Sequence, residues 1–517
     1  MSRWRRRSPR SKPLFLLSVA VLLLFALFLA FRLSSPSDLL RSLVSSSSPA
    51  ASSTATLAPA RSHQCGVSPF GERFLWYAPH SGFSNQLSEL KNAILFAAIL
   101  NRTLIVPPVL DHHAVALGSC PKFRVTSPTE LRTRVFDHIM DLVRDRRWNK
   151  DDVKKQIERY VSMGDIIDLS RLPSSVVRTV DFRIFLSTWC GLNMERACSG
   201  NLCCTISADR AITGNFDQCR SLFSGMQGKD NQCVYAVEDD CRTTVWTYLE
   251  SNREILDSFQ PDKELLIKKK FSYVRKRRDI SKALGPGSEA EMSKLLAFGT
   301  LFSAPYKGSE LYIDIHEVQG KNHVQSLLKE IEYLPFTPEI MATGRKFALN
   351  SIKQPFMCAQ LRLLDGQFKN HWKTTFSAVE QKLKSIDLKP TDNMSNDPIH
   401  IFLMTDLPTV NWTDTYLDDL AKDASYQLHV LDEGSQLVVE AGKRLMASEH
   451  GIRSSFLPRN YDGFNKKKRC DPVFTPDILL YVQESVCCCA SLGFVGTPGS
   501  TIADNIELMM KYNACKS

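Results

Sequence analysis

Apolar positions in this chain fall into two rhythms that alternate. Short, largely apolar runs bounded by Pro, Gly or Asp predict buried strands at Phe74–Tyr77, Thr103–Val106, Phe356–Leu361, His400–Met404, Gln427–Leu431 and Leu492–Val495. Apolar residues at helical spacing predict helices between and after them. Leu87, Leu90, Ile94, Ala97 and Ala98 share one face after the first run, and Asp477–Cys489 and Ile502–Tyr512 read the same way near the end. Strand alternating with helix predicts an α/β fold with parallel sheets. Residues 110–345 mix both rhythms, and no order of elements can be read there.

The polar residues that break these rhythms fall at the carboxyl ends of the predicted strands, where open α/β sheets bind ligands. Arg362 follows Phe356–Leu361, with Asp365 and Gly366 supplying a turn; the alternative is a surface pair between Arg362 and Asp365. Asp406 follows His400–Met404, and Ser500-Thr501 stand where the last helix begins, as natural N-caps. One crevice holding all three would offer a guanidinium and a helix amino terminus to phosphates, and a carboxylate to hydroxyl or base N–H donors. That combination suits a nucleotide diphosphate or nucleotide-sugar; the alternatives are a salt bridge, a strand-end turn and an ordinary cap. The first strand runs through Pro79 into the loop His80–Gln86, which contains Gly82 and enters a helix, an arrangement that can receive phosphate on backbone N–H groups. It lacks G-x-G-x-x-G, so no dinucleotide fingerprint is present.

Charge changes the picture only at the amino terminus. The chain of 517 residues carries a net charge of +10, but Arg3, Arg5, Arg6, Arg7, Arg10 and Lys12 supply six of these within residues 1–12, leaving about +2 for residues 63–517. A nearly neutral body argues against a nucleic-acid partner. The basic cluster precedes Leu14–Phe31, eighteen residues interrupted only by Ser18 and extendable through Leu33. Such a run predicts a single membrane-spanning signal anchor over residues 14–33, with a cytosolic tail at 1–13 and a luminal body. Residues 34–62 hold eleven serines and three prolines with no aromatic residue, the composition of a flexible stem. This is the layout of a type II Golgi membrane enzyme. The body divides into an amino-terminal domain with a cysteine-rich insertion (63–345) and a nucleotide-sugar-binding domain (346–517).

Fifteen cysteines suit an oxidising lumen. Seven of them, from Cys190 to Cys241, crowd together without two pairs at C-x₂₋₄-C spacing, which favours disulfides over zinc. Cys487, Cys488 and Cys489 fall on a predicted helix and read as buried thiols. The basic run Lys268–Arg278 reads as a solvated loop. Sequons stand at Asn101, Asn393 and Asn411, the first close to a predicted strand and so expected to be poorly exposed.

The run F-L-W-Y-A-P-H-S-G-F-S-N-Q-L-S-E-L-K-N-A-I-L-F-A-A-I-L-N-R-T-L-I-V-P-P resembles the opening of the protein O-fucosyltransferases, with their aromatic-Gly-Asn-Gln loop, helix and L-N-R-T-L-x-V-P-P. Q-L-R-L-L-D-G-Q-F-K-N resembles their H-L-R motif and the aromatic-Lys-Asn after it, and Met404-Thr405-Asp406 and F-V-G-T-P-G-S-T resemble two later donor-binding blocks. The overall impression is of the large plant branch of O-fucosyltransferase-like proteins. The resemblance implies two Rossmann-like domains of the GT-B type and an inverting, metal-independent transfer from GDP-fucose to a glycan or glycoprotein, with no cofactor. It implies that Arg362 clamps the diphosphate and assists bond cleavage, that Gly82, Phe83 and Asn85 contact the donor or orient the acceptor, that Asp406 meets the nucleoside, and that Ser500 and Thr501 meet phosphates. His80 or Ser81 stands where some relatives carry a Glu base, which makes His80 a possible base. The family His of H-L-R is Gln360 here, and Gly82 stands where some relatives carry Arg. Two alternatives follow: a tethered glycan-binding protein without catalysis, or a transferase with another donor, such as the rhamnose nucleotide of related plant enzymes.

Overall fold

The computed structural model describes residues 72–516, apart from 111–125, 145–159, 191–195, 200–201, 207–212, 227–232, 249–254, 260–272, 303–311, 316–321, 365–367, 369–371, 388–396 and 457–477. The predicted tail, anchor and stem, the turn at Asp365-Gly366 and the sequon at Asn393 lie outside these residues. Among the described residues no helix is long and apolar enough to cross a membrane.

Two parallel sheets organise the body, as the alternation of strand and helix predicts. The first is built from β1 (Phe74–Trp76), β2 (Thr103–Val106), β3 (Thr179–Asp181), β4 (Val234–Ala236) and β5 (Leu295–Ala297), in the order β3-β2-β1-β5-β4. α1 (Phe83–Ile99) makes the crossover from β1 to β2. The first half also contains α2 (Pro128–Arg144), α3 (Phe182–Trp189), α4 (Thr213–Ser224) and α5 (Asn322–Glu332). After α6 (Pro338–Phe347) comes the second sheet, with β6 (Phe356–Leu361), β7 (Ile399–Thr405), β8 (Tyr426–Val430) and β9 (Gly493–Gly496) in the order β8-β7-β6-β9. Its helices are α7 (Trp372–Asp387), α8 (Tyr416–Lys422), α9 (Gln436–Ser448), α10 (Ile478–Cys487) and α11 (Thr501–Lys511).

β6 shows why the apolar runs form central strands. All six of its residues are buried, and it pairs with β7 on one side and β9 on the other. Met357, Ala359 and Leu361 face a cluster with Val379 and Leu383 of α7 and Leu417 of α8. Phe356 and Cys358 point the opposite way, into the larger core with Tyr481 and Val482 of α10. A strand covered on both faces has no polar alternation to show.

In each sheet the strand order reverses beside one strand: β1 lies between β2 and β5, and β6 between β7 and β9. The crevices at the carboxyl ends of β1 and β6 are therefore the places where such sheets take ligands.

Three readings of the sequence are corrected here. The segment 273–279 of the basic run is a strand rather than a loop; Arg275 is buried, and Arg278 pairs with Asp239 and lies over the Trp246 ring. This strand joins Thr244–Thr247, Ile255–Phe259 and Ile313–Asp314 in a side sheet. Two of the three adjacent cysteines are bonded: Cys487 to Cys358 of β6, and Cys489 to Cys515, leaving Cys488 as a free buried thiol. Cys487 ends α10 and Cys488 and Cys489 form the turn after it rather than continuing the helix, so neighbours in sequence reach different partners. Asn101 is exposed in the turn between α1 and β2, as is Asn411 before α8. Within the cysteine-rich region Cys190 bonds Cys219, and Cys233 and Cys241 are also disulfide-bonded.

The two halves are tied together at the edge strand β3. Gly451 donates its N–H to Asp165 at 2.8 Å, Asp181 donates its N–H to Ser455 Oγ at 2.8 Å, and Phe456 donates to Thr179 O at 2.7 Å. Arg183 is held by Asp181 at 2.8 Å and lies 3.6 Å from Asp165, all three side chains being largely buried. A Cβ on Gly451 would fall 2.7 Å from Ser162 Oγ, so only glycine allows this approach.

Candidate active site

One wall of the site grows from the end of β1. Ser81 adopts a positive φ of 66°, and Gly82 then serves as N-cap of α1, its carbonyl receiving the N–H groups of Asn85 and Gln86. Gln86 is fully buried and fixes the loop: its Nε2 donates to Ser81 O and Leu110 O, each at 2.7 Å, and its Oε1 accepts from Leu110 N–H at 3.0 Å. Asn85, next in line, is left half-buried at the cleft surface. Phe83 is buried beneath it against Tyr481, with ring centroids 4.4 Å apart.

His80 is not in that wall. It is fully buried, with its N–H donating to Glu89 Oε2 at 3.0 Å and its Nδ1 2.9 Å from Glu89 Oε1. Thr300 Oγ1 lies 3.0 Å from the same ring nitrogen, and Phe302, which does line the cleft, packs edge-on in front of the ring. The pattern that marks this burial is visible in the sequence: Gln86, Glu89 and Asn92 form a polar stripe at helical spacing along α1, and all three point inward. Asn92 completes the stripe by donating to Leu301 O at 2.8 Å.

The opposite wall is the end of β6. Gln360 accepts from the Thr497 N–H on its backbone carbonyl at 3.0 Å and on its Oε1 at 3.2 Å. Thr497 Oγ1 donates to the same carbonyl at 3.0 Å and accepts from Arg362 N–H at 2.9 Å. The residue standing in place of the family His thus binds β6 to the loop after β9. Asp406 accepts from the backbone of the next two residues, Leu363 at 2.7 Å and Leu364 at 3.1 Å, and Trp372 Nε1 donates to Leu363 O at 2.6 Å. With both sides of its backbone fixed, Arg362 carries its guanidinium into the cleft over the Phe368 ring, 5.4 Å from the centroid. The sequence signal for Asp406 was its place at a strand end; its shown partners are the backbone N–H groups that shape the Arg362 loop.

The third wall is α11. Thr501 opens the helix at the cleft, one turn ahead of Asp504 and Asn505, which also line it. Ser500 occupies the N-cap position, but its hydroxyl is buried, makes no cap bond and lies behind the cleft surface. Asn505 donates to Glu484 Oε2 of α10 at 2.6 Å. Burial pushes the Glu484 carboxyl up to about 8, against the pull of that hydrogen bond. Lys91, two turns into α1, closes the far end; burial lowers its ammonium to about 8, opposed by the charge of Glu332.

Between these walls lies one cleft of about 1100 Å³ that gathers Gly82, Phe83, Asn85, Arg362, Asp406 and Thr501. It leaves out Ser500 and His80. Such a volume accommodates a nucleotide-sugar. The helix amino terminus and the guanidinium supply positive potential at its second-half wall.

No protein-family model matches the chain. O-fucosyltransferase 30 of Arabidopsis thaliana is 48% identical over 517 residues, the match covering 99% of this chain and 96% of that protein. The chain belongs to the O-fucosyltransferase family. Solved structures of POFUT1 also match this member of the family. The complex with GDP is 11% identical, with a TM-score of 0.36 over 86% of this chain and 96% of that one. The complex with GDP-fucose is 12% identical, with a TM-score of 0.32 over 84% and 93%.

Proposed function

We propose that the protein transfers fucose from GDP-fucose, with inversion, to a hydroxyl of a glycan or glycoprotein, without a metal, from a GT-B arrangement of its two sheets. The observation that carries this reading is the fixed Arg362 facing Asn85 and Thr501 across one cleft, in a chain with nearly half its residues in common with a protein named as an O-fucosyltransferase. In such a transfer negative charge grows on the departing diphosphate as the sugar takes on oxocarbenium character. A preorganised guanidinium and a helix amino terminus stabilise that charge more in the transition state than in the bound donor. Gln360 supports this geometry through Thr497, so its lack of a charge leaves the clamp intact. The basic amino terminus, the apolar run and the serine-rich stretch favour a Golgi anchor with the body in the lumen.

The direct test is thermal melting and transfer with purified full-length protein. GDP and GDP-fucose should raise the melting temperature, because they bind the folded state alone, and radiolabel from GDP-fucose should reach a glycoprotein fraction in the presence of EDTA. Stabilisation by a uridine nucleotide but not by GDP, or a strict need for manganese, would overturn the reading.

A further inference from the structure

An inverting transfer needs a group to take the proton of the incoming hydroxyl, and His80 lies buried behind the cleft, bound to Glu89. Among the described residues, four ionisable side chains line the cleft: Lys91 from α1, Arg362 and Asp406 from the strand ends, and Asp504 from α11. Arg362 is a donor-only guanidinium with no acceptor to offer, and is the anion clamp. Lys91 donates its ammonium to Glu332 O at 2.7 Å. Asp406 spends its two oxygens on the N–H groups of Leu363 and Leu364. Asp504 differs from these. It is exposed to the cleft, and its carboxylate makes no hydrogen bond or ion pair with any described residue. It stands one helical turn beyond Thr501 on the cleft side of α11, about 5 Å along the axis, within reach of a sugar whose diphosphate rests at the start of the helix.

We infer that Asp504 is the catalytic base, an assignment that rests on the fucosyl-transfer reading. The acceptor hydroxyl gives its proton to an Asp504 carboxylate oxygen as its oxygen bonds to C1 of the sugar. The bond from C1 to the phosphate oxygen breaks, and its electron pair leaves on the diphosphate beside Arg362. Asp504 then releases the proton to solvent. The walls of the cleft push the Asp504 carboxyl above the ordinary aspartate range, which suits a proton acceptor. The structural alternative is an acid in the first turn of a helix, worth only about 0.3–1 kcal/mol of stability.

The test uses full-length protein, GDP-fucose as donor, and either water or azide as acceptor, with GDP release, sugar azide formation and GDP affinity measured. Water must lose a proton on attack; azide has none to lose. Asp504→Asn should release GDP in water some 10²–10⁴-fold more slowly. It should form fucosyl azide at close to the wild-type rate and bind GDP as wild type does. The wild-type rate should rise with pH through one ionisation, and the variant should lose that limb, while Asp504→Glu keeps it with reduced activity. An Asn variant as fast as wild type in water, or equally slow with water and azide, would refute the base assignment alone. A wild-type protein that neither binds GDP nor cleaves GDP-fucose would remove the fucosyl-transfer reading, and this inference with it.

Discussion

Glu484 offers a sharp test of the energetics around the cleft. It is wholly buried on α10, accepts one hydrogen bond from Asn505 and leaves its other oxygen without a partner. Burial without a cation raises its pKa from an ordinary 4.5 to about 8. The folded state therefore binds this proton more tightly than the unfolded chain does. Below pH 4.5 both states hold it and the group is neutral in effect; from 4.5 to about 8 the folded state must keep a proton the unfolded chain has lost, so stability falls as pH rises. At about 1.4 kcal/mol for each tenfold difference in proton affinity, the full penalty above pH 8 is on the order of 5 kcal/mol. Glu484→Gln keeps the shape and the acceptor for Asn505 while removing the charge. Unfolding entropy for roughly 450 residues makes 1 kcal/mol worth about 1 °C. Melting wild type and variant in parallel from pH 5 to pH 9 should therefore show curves that converge at the acid end and separate by about 3–5 °C at the alkaline end, the Gln variant melting higher. Curves that stay parallel, or a Gln variant less stable at pH 9, would show that Glu484 is ionised and paired in the folded protein.

Three further outcomes follow from the same geometry. Arg362→Ala should abolish detectable transfer, a loss on the order of 10²–10³-fold or more, and Arg362→Lys should restore little, while melting stays near that of the parent; normal activity in a folded Ala variant would remove Arg362 from the clamp. Replacing Cys358 and Cys487 together by Ala should lower stability by up to roughly 5 kcal/mol, because the bond closes a separation of 129 residues; denaturant unfolding under non-reducing conditions measures it, and an unchanged midpoint would show that the unfolded chain is not restrained by this link. Gly344→Ala should reduce both melting temperature and purified yield, since a Cβ on α6 would fall 2.7 Å from the Ser485 backbone of α10; a variant as stable as the parent would mean the two helices separate freely.

The strands that could be read from the sequence were long, or short but bounded by Pro or Gly beside a clear helix, as β1, β2 and β9 are. β6, with six buried residues, and β7, with seven residues, declared themselves, and so did the loop and helix after β1. β3, β4 and β5 have three residues each, and β4 reaches its partner β5 only across the side sheet. Nothing local marks such pairings, so residues 110–345 stayed closed to pattern reading. The site was legible in proportion to how much it sits at strand ends: Arg362, Asp406, Thr501 and the Gly82 loop come together as expected. Ser500 and His80 do not, because a position next to a cleft residue on a tight turn faces the core. Asp504 escaped notice because an acid in the first turn of a helix ordinarily serves the helix.

Residues 450–456 also bear on how the cleft empties. They fasten the second half to the edge strand of the first sheet through backbone bonds and the N–H that Asp165 accepts from Gly451, outside the lining of the cleft. Swinging the halves apart like a jaw would take the Gly451 N–H from the buried Asp165 carboxylate and the Ser455 hydroxyl from the Asp181 N–H, at about 1–3 kcal/mol for each buried group left unpaired, before any packing is lost. Guests therefore come and go past the rim of a vessel whose width is set when the chain folds. A guest too broad for the resting opening is refused at the door rather than accommodated by a wider gape.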